Sequence, residues 1–378
     1  MNIGMNVESM MAKGVAVLGL DFSSRKFETA SDYVKCLQEE AGHCSEGKEG
    51  AEKSMEELAQ CLSQLKMKIK LEDGKEKHKE FLDELSALFA EGSTLQVLIR
   101  MMTHLDFEAR KDVSFIFRVL LRSSAGPESF SVAYLAADFD RDEEDNCLVD
   151  LLKNYRHADS ISTCCGLMLR DCAKYEDLAK RLLQTMKKSA EAPIDAPVRG
   201  ADIFTYVQLP QFDIASDAFS TLRDLLVIHK KTVATFLEQD FDFFFRTYST
   251  LLTSDSYVTK RQALRLLGDI LLDRNNYKVM TRYISEPEHL KVMMNLLRAK
   301  EKAIRNDSFH IFKVFVVNPN KGEKIQSILL KNKAKLVTFM MKFRDEEEDE
   351  QLQEDCAAVL EHIQKLEDKH EGNTEQGN

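Results

Sequence analysis

Leu290-Lys291-Val292-Met293-Met294-Asn295-Leu296-Leu297 runs toward an apolar pair, Leu296-Leu297, and three other stretches do the same. Leu95-Gln96-Val97-Leu98-Ile99 leads to Met101-Met102, and Leu148-Val149-Asp150 leads to Leu151-Leu152. Phe243-Phe244-Phe245 leads to Leu251-Leu252, and a further pair, Met340-Met341, follows near the end. A short polar stretch comes after each, and in all but the last a second apolar-rich segment follows. The last three pairs stand 45 and then 44 residues apart, whereas the first two stand 50 apart. Armadillo and HEAT units repeat roughly every 40–47 residues, and each buries its apolar face only by stacking on its neighbours. The reading is therefore all-α, an armadillo/HEAT-like right-handed helical-repeat solenoid. Loop insertions blur the period at its start.

Working outward, Ser308-Phe309-His310-Ile311-Phe312-Lys313-Val314-Phe315-Val316-Val317 is apolar on nearly every side. It is predicted to be a buried helix touching both neighbouring units and ending at Asn318-Pro319-Asn320. His310 is read as a core or rim histidine, not a ligand. Helical periodicity dominates from residue 76, giving a repeat domain over 76–367 after a divergent helical or loop segment over 1–75. Residues 41–57, rich in Gly, Ser and Glu, are expected to form a mobile loop. The stretch around Pro193 and Pro197 reads as a surface insertion near 187–202, and residues 368–378 as a disordered tail.

Composition points the same way. The chain has 378 residues, 44% hydrophobic and 30% charged, with 15 Gly and 6 Pro. That is too apolar for a disordered chain and too poor in turn residues for a many-stranded sheet protein. Eight cysteines without framework spacing, with Cys164, Cys165 and Cys172 on one apparent helix, suit small buried hydrophobes in a reducing compartment. The N-terminal apolar run Gly14 to Leu20 lacks a cleavage site, and no stretch approaches the roughly 20 apolar residues that span a bilayer. A cytoplasmic protein with no membrane insertion is expected.

Catalytic signatures are missing: there is no phosphate loop, dinucleotide fingerprint, His-Glu-x-x-His or nucleophile elbow, and no paired Cys-x-x-Cys. Asp138-Phe139-Asp140-Arg141-Asp142-Glu143-Glu144-Asp145 begins like a calcium loop. It offers Glu143 where the sixth position needs Gly and Val149 where the twelfth needs Glu. It is read as a solvated acid patch, and Asp345 to Glu350 as a charged turn or helix start. No enzyme activity, cofactor or metal is expected.

The net charge of −11 hides a segregation. Tyr257 to Lys335 holds 17 Lys plus Arg against 7 Asp plus Glu, a balance of +10 that leaves −21 for the remainder. An acidic or carboxylate-bearing partner suits such a surface better than it suits nucleic acid, for which nothing else speaks. Tyr257, Arg261 and Arg265 step by four and share one helix face, while Ala263, Leu266, Leu267, Ile270 and Leu271 fall on another. An aromatic and two guanidiniums on one exposed stripe suit recognition. Lys291, Met294 and Arg298 share a face of a neighbouring helix, where composition alone would make Met294 core.

At these residues the chain resembles the mouse protein 25 family, also called the calcium-binding protein 39 family. The likeness runs through Tyr257-Val258-Thr259-Lys260-Arg261-Gln262, Leu271-Leu272-Asp273-Arg274, Met293-Met294-Asn295-Leu296-Leu297-Arg298 and Phe312-Lys313-Val314-Phe315-Val316. Asn318-Pro319-Asn320-Lys321 and Leu329-Leu330-Lys331-Asn332 continue it, and Cys165-Gly166-Leu167-Met168-Leu169-Arg170 and Phe212-Asp213-Ile214-Ala215-Ser216-Asp217 match upstream. The resemblance implies a non-catalytic scaffold whose concave face holds a protein kinase or pseudokinase of the sterile-twenty class in its closed form. It implies a C-terminal pocket for a Trp-Glu-Phe tail and assembly with a liver-kinase-B-type kinase. On that basis Tyr257, Arg261, Arg265 and Tyr277 correspond to the kinase-facing surface, and Lys291, Met294 and Lys331 to the tail pocket. Arg265 stands where the family has Lys, and Tyr277 where it has Phe. The competing reading is a trafficking or cytoskeletal adaptor whose basic groove takes acidic linear peptides.

Overall fold

The computed structural model describes residues 27–45, 51–72, 76–123, 130–143, 145–157, 160–193, 195–196 and 198–367. Among them are twenty α-helices, two short 3-10 turns and no strand. The expected tail over 368–378 lies outside the described residues. The chain divides into two compact units, residues 1–131 and 132–378.

The first unit holds α1 (Ala30–Ser45), α2 (Ala51–Glu72), α3 (Glu76–Glu91), α4 (Thr94–Met101) and α5 (Phe107–Arg122). In α2 the residues Leu58, Cys61, Leu62, Leu65 and Ile69 are buried, the i, i+3, i+4, i+7 spacing of a helix face that must meet another helix. That face packs on α1 and α5. The loop expected over 41–57 is helix wherever it is described: residues 41–45 close α1 and residues 51–57 open α2. Ala, Glu, Lys and Met are strong helix formers, and Lys53 pairs with Glu57 at 3.6 Å one turn on, which outweighs the scattered glycines.

The second unit carries the repeat. It begins with α6 (Phe130–Arg141), α7 (Cys147–Lys153), α8 (Ser160–Cys172), α9 (Glu176–Glu191), α10 (Ile203–Tyr206) and α11 (Phe212–Val227). Then come α12 (Lys230–Gln239), α13 (Phe241–Leu252), α14 (Tyr257–Leu272), α15 (Tyr277–Tyr283), α16 (Pro287–Leu296) and α17 (Lys302–Val317). The last three are α18 (Glu323–Lys331), α19 (Lys333–Asp345) and α20 (Glu350–Gln364). Helices α8, α11, α14, α17 and α20 form a row in which each packs on the next. Their first residues stand 52, 45, 45 and 48 apart. Three helices per step of about 45 residues is the armadillo arrangement, so the fold class expected from the sequence is the one found.

The apolar pairs acquire a structural meaning here. They close α4, α7, α13 and α16 and lie within α19, one pair to every third helix. The missing member is Tyr206-Val207 at the end of α10, buried like the pairs that close α4, α7, α13 and α16 and 45 residues before Leu251-Leu252. With only four residues, α10 offers no periodicity to detect. Helix α17 is buried on two sides as expected: Ile304, Phe309, Ile311, Phe312, Phe315 and Val316 are enclosed between α14, α16 and α20. Each such phenylalanine removed from water contributes about 2 kcal/mol.

Two irregular stretches are tighter than their composition suggests. Residues 187–191 are the last turn of α9, and the Arg199 guanidinium donates to the carbonyls of Ser189, Ala190 and Ala192, closing that helix end. Val198 and Ala201 are buried and anchor this stretch, while Glu191, Pro193, Asp195, Arg199 and Gly200 are exposed. In the acidic run, Asp138 is buried, accepting from Arg141 and from the Cys147 N–H at 2.9 Å. It is a helix-joining contact, not part of a solvated patch. Among the described residues, no group of three or more His, Cys, Asp or Glu is placed to hold a metal, and no helix is long and apolar enough to cross a membrane. Seven of the eight cysteines are buried thiols, and burial pushes Cys165 and Cys172 well up and Cys356 up to about 12. Such thiols are poor nucleophiles.

Candidate functional site on helices α14 to α18

Helix α14 begins where the Ser256 hydroxyl accepts from the Thr259 N–H at 3.3 Å, an N-cap placed just before the basic stripe. Thr259, Ala263, Leu264, Leu266, Leu267, Ile270 and Leu271 are buried, fixing the helix in rotation as the sequence reading required. Tyr257, Arg261 and Arg265 are left exposed on the opposite side. The Arg261 Nη1 lies 3.5 Å from the Tyr257 hydroxyl, so the two side chains stand together.

The structure adds a carboxylate that sequence reasoning missed. Asp307 of α17 faces α14, with its Oδ2 3.5 Å from Arg261 Nε. Burial raises its carboxyl above the usual range, while Arg261, Arg265 and His310 pull the other way. Arg265 and Asp307 line a groove of about 200 Å³ between α14 and α17, walled by Leu264, Ile311 and Val314. The only hint in the sequence was that Asp307 is one of seven acids in the basic segment. Nothing there told which helix it would face. His310 is exposed at the rim of the same groove, as one of its two expected placements had it.

Tyr257 and Tyr277 do not share a cluster. Helix α14 has 16 residues, and at 1.5 Å per residue its ends are about 22 Å apart. Tyr277 opens α15 beyond the far end and is 67% exposed. The turn that puts it there is built by Asp273, whose carboxylate accepts from the Asn275 N–H at 2.9 Å. Asn276 tightens it by donating to the Ile270 carbonyl at 2.9 Å.

On α16 the buried face is Leu290, Met293 and Leu296. Met294 sits at its margin, half-buried, and Lys291 one turn earlier is exposed and paired with Glu288 at 2.6 Å. Lys331, the last residue of α18, is exposed, and α18 packs against α16. Met294 is thus neither plain core nor plain surface. It is an accessible apolar edge with cations on its own helix and the next.

Comparison with known proteins completes the description. The pattern of the Mo25-like family matches residues 21–367. The Homo sapiens protein named "Calcium-binding protein 39-like" is 40% identical over 344 residues, covering 91% of this chain and 96% of its own. A "Mo25-like protein" of Schizosaccharomyces pombe is 36% identical over 344 residues, covering 91% of this chain and 98% of its own. Among solved structures, a designed armadillo repeat protein aligns with a TM-score of 0.39 at 11% identity, over 71% of this chain and 99% of that one.

Proposed function

The chain belongs to the Mo25-like family of scaffold-type proteins, and from that premise we propose that it binds and activates a cytoplasmic protein kinase or pseudokinase of the sterile-twenty class. The observation that carries the reading is the exposed stripe of Tyr257, Arg261 and Arg265 on a helix whose other side is locked in the core. A guanidinium held on a rigid element loses little freedom when it meets a carboxylate, and tyrosine adds contact area at low entropic cost. Tyr277 extends the same surface at the other end of α14. A second contact is provided by Met294 with Lys291 and Lys331, where a polarizable apolar edge takes an aromatic residue and the lysines take the carboxylates of a partner's tail. Activation follows by population shift: a surface complementary to the closed kinase binds it better than the open form. A liver-kinase-B-type kinase completes the proposed assembly.

Pull-down from cell extract with the wild type and an Arg261→Ala, Met294→Ala double variant tests this. Loss of the kinase partner from the variant is the expected result, and equal recovery by both proteins would sink the proposed surface. The balance of +10 between Tyr257 and Lys335 favours one other reading, an adaptor for trafficking or cytoskeletal partners that takes acidic linear peptides. Binding on a peptide array that followed acidity and ignored a terminal aromatic would decide for it.

A further inference from the structure

A second cleft, of about 350 Å³, adjoins the first at Asp269 and Leu272 and lies between the C-terminal half of α14 and the junction of α11 with α12. Its walls are aliphatic, from Leu226, Val227, Val233 and Leu272. Of these, Leu272 is 66% exposed and offers an apolar surface to a ligand. Its polar lining includes an amide oxygen and two carboxylates. Asn276 lines it at 4% exposure. The Asn276 amide is oriented by its Nδ2, which donates to the Ile270 carbonyl, and its buried Oδ1 has no hydrogen-bond partner. A buried carbonyl oxygen without a donor is left desolvated, a cost that an incoming N–H would relieve.

The charges in the cleft have the opposite sign to their surroundings. Lys230 is the only cation lining it, and it is engaged by Asp273 at 2.7 Å, a contact that with Asn275 holds the Asp273 carboxyl at about 2. Asp269 also lines the cleft, is exposed, and forms no ion pair among the described residues. The lining therefore sums to one negative charge inside a segment of balance +10. An ammonium would satisfy one acceptor as a point charge. A guanidinium presents five donors in a plane and can reach a carboxylate and an amide oxygen together, while its methylene stem lies along aliphatic walls.

We propose that this cleft receives an arginine side chain from an extended segment of a partner protein, with an aliphatic neighbour of that arginine resting on Leu272. The cleft adjoins the Arg265 groove through Asp269 and Leu272 but contains neither Tyr257 nor Arg261, and its occupant does not depend on the identity of a kinase partner. Its charge complementarity, its aliphatic walls and the unpartnered Asn276 oxygen all select the same group.

Methyl NMR of the full chain, labelled at Ile, Leu and Val, titrated with acetyl-Leu-Arg-amide, tests it. Shifts are expected at the methyls of Val227, Val233 and Leu272, with binding about tenfold weaker for the same peptide carrying neutral citrulline. Asp269→Asn, a substitution of an exposed residue, is expected to weaken the arginine peptide by a similar factor with an unchanged thermal melt. Equal shifts from the citrulline peptide, or unchanged binding by a folded Asp269→Asn protein, would overturn the assignment. Agmatine binding as tightly as the dipeptide would overturn the peptide source by showing a small-molecule site. Should Asp269→Asn melt early, the arginine and citrulline comparison on the wild type still decides.

Discussion

Two junctions in the row of third helices use an arginine and an aspartate in opposite ways. Where α8 meets α11, Arg170 donates to Asp217 Oδ1 at 2.9 Å and to the Thr221 hydroxyl at 2.9 Å. The Tyr155 hydroxyl closes the set by donating to Asp217 Oδ2 at 2.9 Å. The Arg170 and Asp217 side chains are only 18% and 15% exposed, and both terminal nitrogens of Arg170 have acceptors. Where α14 meets α17, Arg261 is 44% exposed and touches Asp307, itself 22% exposed, at 3.5 Å. The two junctions occupy equivalent places in the repeat, each joining helices three apart in chain order. In the first, the guanidinium is internal structure; in the second, it is held at the surface with donors to spare. A repeat scaffold can thus assign one residue type to cohesion at one step and to recognition two steps later. What decides is how closely the helices approach.

Gly166 sets the closer approach, and removing it is the most damaging way to break the contrast. A Cβ there would lie 1.8 Å from Asp217 Oδ2 and 2.5 Å from the Tyr155 hydroxyl. Those atoms cannot move without opening a buried ionic network, so Gly166→Ala should cost about 3–5 kcal/mol in urea unfolding. Next in size, Arg170→Ala should lose about 2 kcal/mol by leaving Asp217 enclosed without its partner. Arg261→Ala should stay within about 0.5 kcal/mol in the same assay. Equal losses from the two would erase the distinction between the junctions.

Asp307→Asn sharpens the comparison in the other direction. A folded carboxyl held above its unfolded value favours the protonated form, so at neutral pH ionised Asp307 costs stability instead of adding to it. The asparagine variant should melt at the wild-type temperature or about 1–2 °C above it. Asp217→Asn, at the closed junction, should melt clearly lower.

The smallest effect concerns His289, stacked on Tyr283 at 3.9 Å between centroids and set beside Phe241 and Phe245. Burial holds its imidazole below the ordinary value of 6.5, against weaker upward pulls from the Tyr283 carbonyl, Glu286 and Glu288. The unfolded chain then takes a proton that the folded chain resists. Stability is full above the unfolded pKa and falls as pH drops toward the folded one. Urea midpoints measured between about pH 7.5 and 5.5 should fall less steeply for His289→Gln than for the wild type. Parallel slopes would show that His289 titrates normally.

The sequence by itself determined the helices, their grouping and the basic stripe. The reason is that a helix face is written locally, in residues three and four apart, and the stacking of like units repeats that writing every 45 residues or so. It marked Tyr257, Arg261 and Arg265 as one face and left the others pointing inward, because rotation about a helix axis is fixed once its apolar side is known. It misread residues 41–57, where helix ends override composition, and it gave no sign that Arg199 caps the helix end at 189–192. It passed over α10, too short to show a period. Only the tertiary structure decided which partners those faces meet. Asp307 opposite Arg261, Asp217 beneath Gly166, and the enclosed oxygen of Asn276 all depend on contacts or enclosure between segments distant in the chain. How closely neighbouring helices enclose a pair separates a buried clasp from an open surface, and no local pattern of residues encodes that.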